Sequence, residues 1–168
     1  MIDLIAFYYG SRPDSQDRYL TDILTEDDAW LEYTHDYIQW LFPLPQRSAF
    51  NPSAPVIDDE VMAAFEADEL LRTQLHASLV RILAFFGLIQ RDGVVTKGPN
   101  WEERRSNWLL HPTHNNLRIT RILTSLGTLG LGPDAEQLLA CLVDLRESEP
   151  DCGVGTLAYE YWIDAVRA

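Results

Sequence analysis

The 168 residues carry 13 basic and 26 acidic side chains, a formal net charge of −13 at pH 7, and 46% of them are hydrophobic. A chain of this length and composition can bury a single core, so residues 1–168 are predicted to form one domain. The acidic balance argues against nucleic-acid binding, because a negative surface repels phosphates. Two cysteines are too few for a disulfide scaffold or a cysteine-rich zinc module.

The beginning of the sequence, MIDLIAFYYG, has an aspartate at position 3 and no basic segment before its short apolar run. This pattern does not predict a secretory signal. No apolar run approaches the roughly 20 residues that a transmembrane helix needs. We therefore expect a soluble, cytoplasmic protein.

Helical periodicity dominates the chain and predicts an all-α fold, a compact bundle of six or seven helices. A loop over residues 10–17 comes first. Thr25, with Asp28 three residues later, predicts a weak capping box, and Pro43 ends the helix that follows. This first long helix is predicted over Glu26–Phe42.

A second loop over residues 45–55 leads to a helix predicted over Asp58–Ala67 and then to a leucine-rich helix that ends at Gly87. Asp92–Gly93 lies between two apolar pairs, which predicts a tight turn and a small β-hairpin near residues 88–96. Capping residues, glycines and prolines predict the remaining helices over Trp101–Leu110, Thr113–Leu126, Pro133–Arg146 and Thr156–Val166.

The predicted helix Glu26–Phe42 has a narrow polar stripe, formed by Asp28, Glu32, His35 and Gln39 at spacings of 4, 3 and 4. A glutamate three residues before a histidine favours the imidazolium and would raise the histidine pKa. The histidine therefore reads either as a surface residue with satisfied hydrogen bonds or as a catalytic one. The rest of the helix surface is rich in aromatic residues, which we expect in the core: Trp30, Tyr37, Trp40 and Phe42.

The helix predicted after Thr113 repeats this spacing with His114, Arg118, Arg121 and Ser125. Asn115 and Asn116 fall near its apolar side in the first turn, where they need hydrogen-bond partners if they are buried.

Residues 91–121 contain six basic and three acidic side chains, a positive region in an otherwise acidic protein. One interpretation is an open site for a carboxylate or phosphate. The other is that the two stripes face each other, with Asp28 and Glu32 paired to Arg118 and Arg121 in an internal network.

Motifs for catalysis or metal binding are incomplete. His111 and His114 have a spacing that metal ligands use, but Pro112 separates them and no further ligand completes a zinc set. The sequence contains no hydrolase elbow, phosphate loop or dinucleotide fingerprint. Cys141 falls within a predicted helix, where we expect a buried and inert thiol. We predict no cofactor and no metal, and the absence of a nucleophile–base pair favours a non-enzymatic protein.

Two segments carry a resemblance to a known family: HDYIQWLFPL at residues 35–44 and HNNLRITRILTSLGTLGL at residues 114–131. With weaker matches at FYYG, FFGL and LAYEYWIDAVR, they resemble the conserved region of the opioid growth factor receptor family over nearly the whole chain. In animal members the resemblance implies binding of an enkephalin-type opioid growth factor and growth regulation at the nucleus. Twelve arginines against one lysine and the short length look more like a stand-alone bacterial relative.

Three functions follow as hypotheses. The first is a recognition module for a small zwitterionic or peptide-like ligand bound between the two stripes. The second is an enzyme with His35 or His114 as general acid or base and Arg118 or Arg121 holding an anionic substrate. The third is a structural domain that binds protein partners. The candidate ligand-binding residues are Glu32, His35, Gln39, His114, Asn115, Asn116, Arg118 and Arg121.

Overall fold

The computed structural model describes residues 2–168, with side chains from Leu4 onward. Over these residues the chain forms ten α-helices, one 3₁₀ turn and one antiparallel hairpin, so the predicted all-α class is confirmed. In chain order the elements are α1 (Ile2–Tyr8), α2 (Leu20–Thr25), α3 (Asp28–Tyr33), α4 (Ile38–Leu41), α5 (Asp59–Ala67), α6 (Glu69–Phe85), β1 (Leu88–Arg91), β2 (Val94–Lys97), α7 (Trp101–Arg104), α8 (His114–Thr128), α9 (Gly132–Ser148) and α10 (Thr156–Arg167).

Strong local signals place the middle of the chain as predicted. Asp58 caps α5 by accepting the N–H of Val61 at 3.0 Å. Gly87 follows the end of α6 with a φ of +81°, which a glycine adopts without steric cost. Asp92 and Gly93 both have positive φ between β1 and β2, as a two-residue hairpin turn requires, and the predicted hairpin is confirmed.

The number of helices exceeds the six or seven predicted, for two reasons. Helices α1 and α2 are only seven and six residues long, too short for a periodic pattern to identify. Both are nevertheless anchored in the core, where Phe7, Tyr8 and Ile23 are fully buried. The second reason is that the structure divides the predicted helix Glu26–Phe42 into two helices, α3 and α4.

The continuous helix Glu26–Phe42 was a wrong prediction. Helix α2 already ends at Thr25, whose hydroxyl donates back to the carbonyl of Thr21, so Thr25 is not the cap of the next helix. Asp27 caps α3 instead, accepting the N–H of Trp30 at 2.8 Å. The backbone then turns extended at Thr34, with φ −94° and ψ 132°, before α4 begins at Ile38.

The predicted helix Trp101–Leu110 is also shorter in the structure. It ends at Arg104 and continues as a 3₁₀ turn over Arg105–Asn107. Trp108 then turns into the core, where its indole N–H donates to the carbonyl of Phe86 at 2.9 Å. Burial of this large ring takes precedence over continuation of the helix.

Helix α8 lies at the centre of the fold, packed against α9 and α10. Thr113 caps it as predicted, with a reciprocal bond from the N–H of Thr113 to the Asn116 side chain at 3.0 Å. Pro133 lies in the first turn of α9, as predicted. Within residues 2–168, none of the helices is long and apolar enough to cross a membrane.

Candidate functional site

The two predicted polar stripes meet, although 83 residues separate Glu32 from Asn115. The first turn of α8 lies against α3 and the link that follows it. Glu32 receives a hydrogen bond from the Asn115 amide at 3.1 Å and lies 3.3 Å from Nε2 of His114. The imidazole rings of His35 and His114 pack edge to face, 5.3 Å apart. We call this interface the seam, formed by Glu32, His35, His114, Asn115, Arg118 and Arg121.

Arg118 lies in the interior of the seam and is 95% buried. Its two terminal nitrogens donate to the carbonyls of Leu31 and Thr34, each at 2.8 Å. These carbonyls belong to the last turn of α3 and its cap, groups that have no partner within a helix. The Arg118 guanidinium therefore ends α3, and its further contacts are the Asn115 side-chain oxygen at 3.3 Å and Nδ1 of His35 at 3.4 Å.

The charge pairs differ from those predicted. Asp28 pairs with Arg81 at 2.9 Å and with Arg104 at 3.6 Å, instead of with the arginines of α8. Arg121 donates to the carbonyl of Phe42 at 3.1 Å, and burial lowers the pKa of its guanidinium. The arginines of α8 thus bind backbone carbonyls, and the two stripes make a hydrogen-bonded network with few ion pairs.

The positive region at residues 91–121 is compensated by groups outside it. Arg105 pairs with Glu149 at 3.0 Å and with Asp151, and Lys97 also pairs with Glu149. Arg104 donates to the carbonyl of Phe85 at 2.8 Å. These basic side chains are therefore already engaged in the folded chain.

The two asparagines have the partners that their burial requires. Asn115 is fully buried and its amide also donates to the carbonyl of Asn107 at 3.0 Å. The side-chain amide of Asn116 donates to the carbonyl of Trp108 at 3.0 Å, and the backbone carbonyl of Asn116 accepts the indole N–H of Trp162 at 3.1 Å. Both residues hold α8 in place, because each side chain is saturated by contacts within the chain.

His35 and His114 are the solvent-exposed side chains at the surface end of the seam. The pKa of His114 lies below its ordinary value of 6.5, mainly through partial burial and then through the nearby Arg118 guanidinium. The Glu32 carboxylate acts in the opposite direction and His35 adds to the lowering. For His114, burial and the Arg118 guanidinium therefore outweigh the Glu32 carboxylate.

Glu32→Gln is expected to lower the pKa of His114 further, because it removes the group that favours the imidazolium. An NMR titration of the imidazole C–H signals measures this, with exposed Glu60→Gln as the control. Since the unfolded chain binds this proton more readily, the His114 contribution to stability is complete above pH 6.5 and is lost as the pH falls toward the folded-state pKa. An unchanged His114 titration in Glu32→Gln would contradict the effect that we attribute to the Glu32 carboxylate.

Gln39 lies away from the seam and binds the second loop. Its amide donates to Ser48 at 3.4 Å, and its side-chain oxygen accepts from the amide of Asn51. Asn51 in turn accepts the Ser53 hydroxyl at 2.7 Å. Gln39 therefore positions the loop over residues 45–55, and the helix break is the reason that it no longer shares a face with Glu32.

An open groove of about 300 Å³ lies between the two predicted loops, and we call it the His35 groove. His35, Asp36 and Gln39 form its floor, and Ser15 and Phe50 belong to its walls. Phe50 is 99% exposed, an uncommon position for a phenylalanine. The groove thus combines an imidazole, a carboxylate, an amide and a hydroxyl with one unburied aromatic ring.

The aromatic residues expected in the core divide into two groups. Tyr37 and Phe42 are fully buried and Trp40 is 5% exposed. Trp30 is partly buried, packed against the Tyr37 ring at 5.2 Å and under the Arg18 guanidinium at 5.4 Å.

Among the described residues no group of three or more histidine, cysteine, aspartate or glutamate side chains is placed to hold a metal ion. Cys141 is buried, and burial raises the pKa of its thiol to about 11, which leaves the thiolate scarce at neutral pH.

Comparison with known protein sequences gives a family match over nearly the full length of the chain. The conserved region of the opioid growth factor receptor family matches residues 5–168. The chain belongs to the opioid growth factor receptor family. It is 35% identical to the human opioid growth factor receptor over 158 residues, which cover 89% of this chain and 23% of the human protein. It is 38% identical to the mouse opioid growth factor receptor-like protein 1 over 132 residues, 75% of this chain and 28% of that protein.

The chain therefore spans about a quarter of the length of these relatives. No solved structure matches it. Within the opioid growth factor receptor family, both the His35 segment and α8 fall inside the matched region.

Sequence reasoning missed the loop residues of this opioid growth factor receptor family domain. Asp14 is 5% exposed, binds Arg18 through Nε at 2.8 Å and accepts two backbone N–H groups. Phe50 stands out in the sequence as a bulky aromatic residue in a loop of serine, asparagine and proline. Such a residue is a usable signal, because an aromatic side chain in a polar loop either anchors the loop or stays available for a ligand.

Proposed function

We propose that this chain is a non-enzymatic recognition domain that binds a small zwitterionic or peptide-like ligand in the His35 groove. The observation that carries the proposal is the fully exposed ring of Phe50 beside the polar floor formed by His35, Asp36 and Gln39. An apolar surface next to several oriented polar groups is the usual composition of a ligand site. The name receptor, which the human and mouse relatives bear, also favours a ligand-binding role.

In this proposal the candidate residues divide between two tasks. Arg118 and Asn115 hold α8 against α3, and Asn116 joins α8 to the Trp108 segment, because each side chain is buried and bonded within the chain. His35 lines the His35 groove and is available to a ligand's amine or amide groups. Glu32 and His114 keep some exposed surface at the seam but are not among the residues that line the groove. Arg121 and Gln39 position the backbone and the second loop.

The enzymatic alternative loses much of its support from the same contacts. It needs Arg118 or Arg121 to hold an anionic substrate, whereas both guanidinium groups donate to backbone carbonyls. The close pair of His114 and Glu32 is the feature that keeps acid–base chemistry in consideration. Conversion of a bound ligand to a new mass, abolished by His114→Ala, would establish that alternative.

A thermal-shift screen of the purified protein against amino acids and short peptides tests the proposal. A ligand at 100 times its dissociation constant adds about 2.7 kcal/mol to the free energy of unfolding, a readily measured increase in Tm. We expect Phe50→Ser and His35→Ala to abolish the shift of any such ligand. Tyr33→Ser is the matched control, because Tyr33 is also an exposed aromatic residue, at 81%, and is not part of the groove.

A ligand whose thermal shift survives in both Phe50→Ser and His35→Ala would contradict the groove as its site. If no compound shifts the Tm, the recognition proposal fails and the domain is better explained as a surface for protein partners.

A further inference from the structure

We infer that the outer edge of β2 is a docking site for one strand of a basic partner protein, which adds to the hairpin as a third, antiparallel strand beside α9. This surface is separate from the His35 groove, so the inference does not depend on the proposed function. Within the described residues the sheet consists of β1 and β2 alone, which leaves one edge of β2 without a strand partner. An open edge of this kind is a template for pairing with another chain.

The backbone of β2 directs two residues toward this open edge. The N–H of Gly98 donates to the carbonyl of Gly87 at 2.8 Å, so these two residues form a hydrogen-bonded pair at the end of the hairpin. Hydrogen-bonded and non-hydrogen-bonded pairs alternate along an antiparallel ladder, so Val95 and Lys97 direct their N–H and C=O groups away from β1. No described residue outside the ladder forms a hydrogen bond with these backbone groups. They are therefore available to a third strand.

An open groove of about 500 Å³ follows the same edge, and we call it the β2 groove. All four residues of β2, Val94–Lys97, line the groove, and no described residue of β1 does. Successive side chains of a strand point to opposite faces of a sheet. A space that contacts all four residues of β2 and none of β1 therefore lies along the edge of the strand and not over one face of the hairpin.

Helix α9 forms the opposite wall of the β2 groove. Gln137, Cys141, Asp144 and Ser148 lie on one face of the helix at spacings of 4, 3 and 4. The helix rises about 16 Å between the first and the last of them, which is the length of about five residues of extended chain. Val95 and Cys141 are buried and give the groove an apolar lining. The groove thus has the length and the composition to hold one short strand.

Lys97 does not protect the open edge. Edge strands of native proteins commonly carry a lysine whose free charge keeps other strands away. The Lys97 ammonium instead pairs with Glu149 and lies 5.2 Å from the centre of the Trp101 ring. Because its charge is compensated and its side chain is held against Trp101, Lys97 leaves no free cation at the edge of β2.

The uncompensated charge of the β2 groove is the Asp144 carboxylate. Asp144 is exposed, and its side chain forms no ion pair or hydrogen bond within the described part of the chain. A second copy of this chain, with a net charge of −13, would be repelled, whereas a basic side chain on the docked strand would pair with Asp144. The charges therefore favour a basic partner over self-association.

The pairing also determines which side chains of the docked strand contact α9. Directly opposite residues of an antiparallel pair have their side chains on the same face of the sheet. The residues that bond to Val95 and Lys97 therefore also turn their side chains toward the apolar lining and Asp144. A strand that fits alternates apolar and basic residues on this face with polar residues on the other.

The test uses the capped peptide acetyl-TVTKTVT-amide, which has no free carboxylate and the same residue order in both directions. Its valines and lysine are the residues expected to bond to β2. We expect millimolar peptide to move the Val95 and Lys97 amide signals in ¹H–¹⁵N NMR spectra more than those of Val94 and Thr96. N-methylation of the valines and the lysine should abolish binding, whereas N-methylation of the third and fifth threonines, whose N–H groups point away from β2, should preserve it.

The charge of the partner is tested with acetyl-TVTETVT-amide. We expect it to bind about threefold to fivefold more weakly than the lysine peptide, the size of an exposed ion pair. Asp144→Asn should remove that difference. Asp164→Asn is the matched control, because Asp164 is also an exposed helical aspartate, on α10, and is not part of the groove.

Three results would overturn the inference. The first is that millimolar peptide leaves the Val95 and Lys97 amide signals unmoved. The second is that the two N-methylated peptides bind equally well, which would mean that the edge of β2 is not used. The third is that the chain sediments as a dimer with the Val95 and Lys97 amides protected from hydrogen exchange without peptide, which would assign the edge to a second copy. None of these results bears on the His35 groove, whose ligand is tested separately by the thermal shift.

Discussion

Arg118→Ala is expected to lower the free energy of unfolding by roughly 3–5 kcal/mol, because it leaves a buried hydrogen-bonding network without its central donor. The side chain is 5% exposed and satisfies the carbonyls of Leu31 and Thr34 at 2.8 Å. An unpaired buried polar group costs about 1–3 kcal/mol, and the truncation also leaves a cavity against Tyr37. Urea unfolding followed by circular dichroism measures the change.

Two substitutions at the same position separate charge from geometry. Arg118→Lys keeps the charge but has a single compact ammonium group in place of the planar fork that reaches both carbonyls. Arg118→Leu keeps apolar volume but has no donor. We expect both variants to be destabilised by more than about 2 kcal/mol, because neither can satisfy both carbonyls.

Two other arginines provide graded controls for this series. Arg121 makes one carbonyl bond from a half-buried position on the same helix, so Arg121→Ala should cost about 1 kcal/mol. Exposed Arg91→Ala should stay within about 0.5 kcal/mol of the parent chain. If Arg118→Ala unfolds like Arg91→Ala, the guanidinium is not structural and could serve a ligand directly.

Arg118 also explains why the first long helix could not be predicted correctly. Every local signal between Glu26 and Phe42 is compatible with one helix, since the next proline is Pro43. Helix α3 ends where the Arg118 guanidinium binds the carbonyl of Thr34, and Arg118 lies 84 residues after Thr34 in the chain. Spacing within a segment carries no information about such a distant partner.

Predictions succeeded where the determining groups are close in sequence. Gly87, the turn at Asp92–Gly93 and the cap at Thr113 each act within a few residues, and each is in its expected place. The meeting of the two polar stripes was one of two open interpretations, and the chain adopts that contact. The ion pairs of the stripe residues were not predictable from the sequence, because the choice of Arg81 as the partner of Asp28 depends on how α6 packs against α3.

The His35 groove between the two loops shows the same limit for the candidate site. His35 and Gln39 were identified from their helical spacing, yet the structure connects them through the loops at residues 10–17 and 45–55. Loop conformations depend on side-chain bonds such as that of Asn51 to Gln39, for which no periodic pattern exists. His35 and Gln39 could be identified from the sequence, whereas Asp36 and the loop residues of the groove could not.

Gly153→Ala is expected to lower the free energy of unfolding by about 3 kcal/mol, the upper end of the cost of overpacking a core. A Cβ atom at this position would lie 2.0 Å from the carbonyl oxygen of Leu110 and 3.0 Å from the Cα of His111. Both are backbone atoms, so no side-chain rotation can relieve the clash. The N–H of Gly153 also donates to the carbonyl of Leu109 at 2.8 Å, and this bond holds Gly153 against the segment 109–111.

Gly155→Ala is the matched control, since a Cβ atom there meets nothing within 4 Å. We expect that variant to stay within about 1 kcal/mol of the parent chain in the same urea titration. The segment that Gly153 contacts leads directly to Thr113 and the first turn of α8, where His114 contacts Glu32. Gly153→Ala should therefore also shift the NMR titration of His114, whereas Gly155→Ala should not. Equal stabilities for the two variants would mean that the contact between residues 109–111 and Gly153 does not hold α8 in place.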